Sequence, residues 1–383
     1  MIAGGIALPV SVAFSNALAE IASSALCLAF LLRIALERPH WPAGQTFACL
    51  LGLWLAVCLM SAWCVSERSL ALRAWSRKTL EYALVALAMA QVARNAQRLR
   101  LMLTVVAWAG LLFALDGIIQ SKLGHDLLRW RPIWASRVTG PMANPNSFAT
   151  YLVMALPLQL WAMVTRPNRW QRVALAMGVV LTAWSIALTD SRMACLLFGL
   201  SLVLFAVSTR RVALVAYVVL LGVGLWRLGA LSATRFFELG PGRVEGWGIA
   251  WRMFLDHPVI GIGHGTFMAN YMAYLPPDPG GTWPRPQYAH NCYLQLLAEG
   301  GLIGLGAFLT LVCWVLIRAI GSLRRARMGS LSPIAGVIIS LVASLISITF
   351  DTGLYSLPIA LFFWSLLGWS VGGMERETTP TGS

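Results

Sequence analysis

Apolar residues in this chain come largely in continuous blocks of about 17–22, the length that crosses ~30 Å of hydrocarbon at ~1.5 Å per residue. The blocks lie near 2–13, 15–34, 46–65, 80–94, 99–120, 147–165, 172–189, 193–208, 212–229, 302–319, 331–350 and 357–374. They do not alternate with period two, which argues against a membrane β-barrel. Of the 383 residues, 58% are hydrophobic and only 11% are charged, roughly half the charge of a soluble domain. The sequence therefore predicts an all-α polytopic membrane protein of about twelve transmembrane helices. Residues 2–34 fit one long helix or two, and Pro9 with the polar pair Ser15-Asn16 favours a break.

Net charge is +14, but the basic residues are scattered over short loops with no run interleaved with aromatics. That excludes nucleic acid as the expected partner and leaves membrane lipids. Arg33 and Arg38, Arg94 to Arg100, Arg166 to Arg172, Arg210-Arg211 and Arg318 to Arg327 alternate along the chain in a way that places these loops in the cytoplasm. The opposite face then receives 66–79, 121–146, the turn Asp190-Ser191-Arg192, the long watery segment 229–290, and 351–356. Residues 1–228 form an N-terminal transmembrane bundle in this reading. Residues 229–290 form a large outer loop with short helices, and 291–383 the C-terminal transmembrane helices and a cytoplasmic tail. Seven cysteines are spread singly without metal-type spacing, as small buried hydrophobes are. The first apolar stretch lacks the basic start and cleavage site of a signal peptide.

Within the outer segment, 241–257 reads as a short helix whose Trp247, Trp251 and Phe254 share a face, suited to the membrane surface or to packing on the bundle. Residues 275–287 are too rich in Pro and Gly for a helix. A helix is expected to start near Asn291, with Leu294, Leu297, Gly301, Gly304 and Phe308 on one face and the glycines allowing close helix approach. His290 would sit at its N-terminus, at the membrane–water boundary, as a general base or as a helix cap. Arg137, Arg192, Arg243 and Arg285 lie on the outer side with few carboxylates near them in sequence. Such arginines fit a ligand anion and a lipid phosphate alike.

The run His290-Asn291, nine residues, Gly301, two residues, Gly304 resembles the signature of the O-antigen ligase and O-antigen polymerase superfamily. Arg137-Val-Thr-Gly-Pro-Met-Ala-Asn144-Pro-Asn146 is similar to the segment that precedes a helix in that family. Thr189-Asp190-Ser191-Arg192 is similar to its outer Ser-Arg turn. Arg243-x-x-x-Trp247, followed by His257-Pro258-x-x-Gly261-x-Gly263, resembles a further stretch, and the pieces stand in family order over about 137–304. The resemblance implies a GT-C-like glycosyltransferase in the bacterial inner membrane, with its active site facing the periplasm. Its implied donor is an undecaprenyl-diphosphate-linked glycan, and a ligase's acceptor is a lipid A-core sugar hydroxyl.

Charge building on a lipid diphosphate suits guanidinium groups, which stay charged and grip phosphate oxygens bidentately. Arg192 and Arg243 are the expected clamps, with Arg137 third; His290 is the expected base, and the reaction inverts the anomeric centre. Asn146, Trp247, Tyr288 and Arg285 are expected substrate contacts, although Asn144 and Asn146 also fit helix caps. Asp351 is a lesser candidate at the outer surface. Glu299, about two and a half turns beyond His290, is expected to be structural. No Asp-x-Asp occurs and the six Asp are isolated from one another. Neither metal nor other cofactor is expected, with arginine supplying the counter-charge. Glu20, Glu81 and Asp116 are costly inside apolar blocks and mark either interface positions or a polar path. An O-antigen polymerase is the alternative, and less so a protein O-oligosaccharyltransferase, whose relatives are longer, or a transporter without chemistry.

Overall fold

The computed structural model describes residues 1–37, 44–209, 241–275, 288–325 and 332–378. Among them the chain is helical and contains no β-strand. Helices α1 (Ile2–Phe14) and α2 (Asn16–Glu37) are separated at Ser15, whose extended backbone ends the first helix. They are followed by α3 (Gly44–Trp63), α4 (Arg68–Ala74), a π-helical turn (Trp75–Thr79), α5 (Leu80–Ala93), α6 (Ala96–Leu123), α7 (Pro145–Thr165), α8 (Arg169–Leu188) and α9 (Arg192–Thr209). After the undescribed stretch come α10 (Pro241–Asp256), the short α11 (Phe267–Asn270), α12 (Cys292–Arg325), α13 (Pro333–Ser347) and α14 (Leu357–Thr378).

Eight of these helices are long and apolar enough to cross a membrane. They correspond to eight of the twelve blocks in the sequence. The blocks at 2–13, 80–94 and 331–350 form helices of 13, 14 and 15 residues. The block at 212–229 lies outside the described residues.

Short polar residues mark the helix starts. The Asn95 side chain accepts from the backbone N–H of Gln97 and Arg98, each at 3.0 Å, and Asn144 accepts from Asn146 N–H at 2.7 Å. Ser332 caps α13, with Pro333 at the first helical position. At the centre stand α14 and α7, with 94% and 83% of their most apolar stretches buried. Gly372 lets α14 press on α5, since a Cβ there would lie 2.1 Å from the Ala90 carbonyl oxygen.

The connection 121–144 is held by side chains of α6 and by its own aspartate. Gln120 Oε1 accepts from Thr139 and Gly140 N–H, both at 2.8 Å, and Asp126 accepts from the N–H groups of Leu128, Arg129 and Arg131. Asp116 receives Leu127 N–H at 2.8 Å, so this costly residue ties down the loop.

Candidate functional site

One of the signature glycines, Gly301, sets the geometry around it. The expectation that Gly301 lies on a continuous helix face fails: α12 is broken there, with φ +62° and ψ −164°. Pro258 to Gly263 fills the break. Ile262 and Gly263 donate to the carbonyls of Ala298 and Glu299, at 2.9 and 3.1 Å, and Leu302 N–H donates back to Pro258 O at 2.9 Å. A Cβ on Gly301 would sit 2.2 Å from Val259 O. Gly301 therefore serves backbone contact with the outer segment and not helix–helix packing.

The break leaves Glu299 buried but fully engaged. Its carboxylate accepts from Gly265 N–H (2.8 Å), Phe267 N–H (3.2 Å), Gln295 Nε2 (3.3 Å) and Tyr355 O–H (2.8 Å). His264 Nδ1 stands 3.8 Å away, and its Nε2 is 2.7 Å from Thr79 Oγ1. Burial pushes His264 below its ordinary pKa while Glu299 opposes this, and burial holds the Tyr355 phenol well above its own. Glu299 is the structural residue the sequence suggested, joining the outer segment to the bundle.

At the head of α12, Asn291 is the cap: its Oδ1 accepts from Tyr293 and Leu294 N–H. His290 precedes it with φ +51°, a left-handed conformation uncommon for a residue with a Cβ. Cys292 N–H donates to Ile348 O at 2.8 Å and Tyr293 O–H to Leu345 O at 2.8 Å. These bonds draw the α13–α14 connection against His290, and Asp351 Oδ1 stands 3.7 Å from His290 Nδ1. That distance is beyond a direct hydrogen bond but close enough to orient the ring electrostatically.

His290 and Asp351 open onto a cavity of about 1110 Å³. Tyr288, Asn144 and Ser147 line it too, with Arg77, Lys78, Arg129 and Trp134 and the carboxylates Glu20 and Glu81. The Tyr288 ring packs on Tyr355 at 5.6 Å between centroids. His290, Asp351, Tyr288, Asn144, Arg77, Lys78, Arg129 and Trp134 lie in or beside segments that the sequence places on one face, whereas Glu20 and Glu81 come from apolar blocks.

Arg137, Arg192 and Arg243 form a separate cluster that does not line the cavity. Arg137 donates from Nε to Thr189 O (2.6 Å) and from Nη2 to Asn146 Oδ1 (2.8 Å). Burial pushes its guanidinium below the ordinary value; Asp190 opposes this, Arg243 and Arg192 add to it, and Asp351 opposes it. Arg137 thus lies in the electrostatic neighbourhood of Arg192 and Arg243 and also of the carboxylate that faces His290. Arg192 is the first residue of α9, set by Asp190 at φ +50°, and Arg243 lies in the first turn of α10.

Asn146 acts through Arg137 and the α7 cap. Trp247 is on α10, its indole Nε1 buried without a hydrogen-bond partner, away from the cavity lining. Arg285 lies outside the described residues. Sequence reasoning missed Arg77, Lys78, Arg129 and Trp134. Glu20 and Glu81 carried a signal, because carboxylates inside apolar blocks demand a polar surrounding. Among the described residues no group of three His, Cys, Asp or Glu converges as a metal site would require.

The described structure is thus a multi-span helical membrane protein with His290 and Asp351 at a polar cavity and the Arg137 cluster outside its lining. Residues 177–309 match the family model described as O-Antigen ligase. This stretch therefore carries the pattern of the O-antigen ligase superfamily, whose activity is glycosyl transfer of the ligase or polymerase type. The match takes in Arg192, Arg243, Trp247 and His290; Arg137 to Asn146 lie upstream of it. No curated protein matches the chain. One solved structure, described as the structural coordination of polymerization and crosslinking by a peptidoglycan synthase complex, contains a chain that is 15% identical with a TM-score of 0.47. The likeness covers 88% of this chain and 98% of that one.

Proposed function

We propose that the protein is an O-antigen ligase, transferring a glycan from undecaprenyl diphosphate to a sugar hydroxyl of the lipid A core at the periplasmic face of the inner membrane. The observation that carries this reading is His290 at a large polar cavity, with Asp351 on its Nδ1 side and Arg137, itself beside Arg192 and Arg243, in electrostatic reach of that carboxylate. Asp351 favours the tautomer with the proton on Nδ1, which leaves Nε2 to accept a proton. The acceptor oxygen attacks the anomeric carbon, its proton passes to His290, and the bond to the diphosphate breaks with inversion. Arg192, Arg243 and Arg137 stabilise the charge that collects on the departing undecaprenyl diphosphate. Tyr288 borders the acceptor, Trp247 shields the arginine side, and Arg285 adds a further cation. No metal takes part, because guanidinium groups supply the counter-charge.

Protein in nanodiscs, given lipid-linked donor and lipid A-core acceptor, tests the reading by gel mobility of the product. His290→Ala is expected to lower the rate by about a hundredfold or more. A rate within a few-fold of wild type would remove His290 as base. A chelator is expected to leave wild-type turnover unchanged, and loss restored by Mg²⁺ would defeat the arginine account. In cells, a ligase defect leaves long lipid-linked glycan that never reaches the core, whereas a polymerase defect leaves single repeats on it.

A further inference from the structure

The cavity has a second cationic wall that the mechanism above does not use. It is built on the π-helical turn Trp75–Thr79, a conformation that adds a residue to the turn and is concentrated at functional sites. The turn is pinned at both ends: Trp75 Nε1 donates to Leu55 O at 3.0 Å, and Thr79 Oγ1 meets His264 Nε2. Between these anchors Arg77 and Lys78 are exposed, and both line the cavity shared with His290. Neither has an ion-pair partner within 4 Å among the described residues, although Lys78 lies within electrostatic reach of Glu81.

Three other charges on the wall are differently engaged. Glu81 takes a hydrogen bond from Ser23, Asp351 faces His290, and Arg129 is bonded to Asn16 Oδ1. The departing diphosphate, in the reading above, belongs to the Arg137–Arg192–Arg243 cluster, which is not part of this wall. Carboxylates and amides (Glu20, Glu81, Asn16, Asn144) beside aromatic rings (Trp134, Tyr288) suit sugar hydroxyls and sugar faces. An unpaired guanidinium and ammonium among them call for an anion carried by the same sugar.

We propose that Arg77 and Lys78 form an acceptor subsite for a phosphate-bearing saccharide, with His290 lying between this subsite and the donor's diphosphate. The inference rests on the glycosyltransferase reading and names the acceptor class for it. It is tested with a lipid A-core preparation that retains its phosphates and the same preparation dephosphorylated with hydrofluoric acid, each titrated against wild-type protein in phosphatidylcholine nanodiscs. The wild type is expected to prefer the phosphorylated acceptor by about tenfold to a hundredfold in kcat/KM. Arg77→Gln with Lys78→Gln is expected to bring that preference to within about twofold, with the donor KM little changed. The wild-type comparison needs no variant, so a folding defect in the double variant leaves the test intact.

Equal use of both acceptors by the wild type overturns the subsite and spares the glycosyltransferase reading; transfer to neither overturns both. A rise in donor KM that follows the loss of preference would assign the pair to the donor and overturn the proposal. A preference that disappears in phosphatidylglycerol nanodiscs would assign it to lipid headgroups and do the same.

Discussion

Asp351 is the residue on which the two halves of the site meet. It faces His290 at 3.7 Å and lies in the electrostatic neighbourhood of Arg137, and its Oδ1 also accepts Thr352 N–H at 2.8 Å. A carboxylate in this position orients an imidazole and stabilises its protonated form once the proton has been taken. Asp351→Asn keeps the shape and removes the charge. It is expected to lower kcat by about a hundredfold while moving either KM by less than about threefold, measured by steady-state transfer. A wild-type kcat in this variant would leave His290 acting without it. His290, Tyr288 and Asn144 could be read from the sequence because they stand on or beside recognisable runs. Asp351 was visible only as an outer carboxylate, since the bonds that bring it to His290 run from Cys292 and Tyr293 to a connection over fifty residues further on. Arg77 and Lys78 were hidden for another reason: nothing in Trp-Ser-Arg-Lys-Thr signals the π turn that aims them.

Among the elements, the break in α12 has the greatest effect on the site. Gly301 must be a glycine twice over, for its positive φ and for the Val259 carbonyl that occupies the place of a Cβ. Gly301→Ala should therefore expel Pro258–Gly263 from the break and loosen the Glu299 cluster behind it. Melting in detergent is expected to show a loss of roughly 2–4 kcal/mol, with faster proteolysis of 241–275. Gly304→Ala is the control, because its nearest neighbour would be 4.0 Å away, and it should melt like wild type. An unaffected Gly301→Ala protein would mean that the backbone joint between 258–263 and α12 is not required. The sequence marked both glycines but gave them the same role. Periodicity assigns residues to a face and does not reveal where another segment replaces the helix's own hydrogen bonds. Helix starts fared better: Asn144 caps α7, α12 begins beside Asn291 although Asn291 and not His290 is its cap, and α10 spans Pro241–Asp256 against the expected 241–257. Its Trp251 and Phe254 pack on each other while Ile249, Ala250 and Met253 bury the opposite side, which leaves an aromatic face outward.

For the molecule as a whole, the charge of the short loops leads to the expectation that the site faces the periplasm, and one cysteine can test it. Cys64 is exposed immediately beyond α3, on the connection that runs into the Arg77–Lys78 turn and so to the cavity wall. Cys49 and Cys313 are exposed as well, but on the flanks of apolar spanning helices, where lipid shields them from a charged reagent. Cys27, Cys58 and Cys292 are buried, and Cys195 is half-buried against the core. A membrane-impermeant maleimide applied to spheroplasts should therefore label the protein at Cys64, and Cys64→Ser should abolish that labelling. Because Cys64 and His290 lead to the same cavity, the reagent reports the side on which chemistry occurs. Labelling confined to inside-out vesicles would put the cavity in the cytoplasm. A periplasmic transfer would then be impossible for this chain, whatever the arrangement of His290, Asp351 and the arginines.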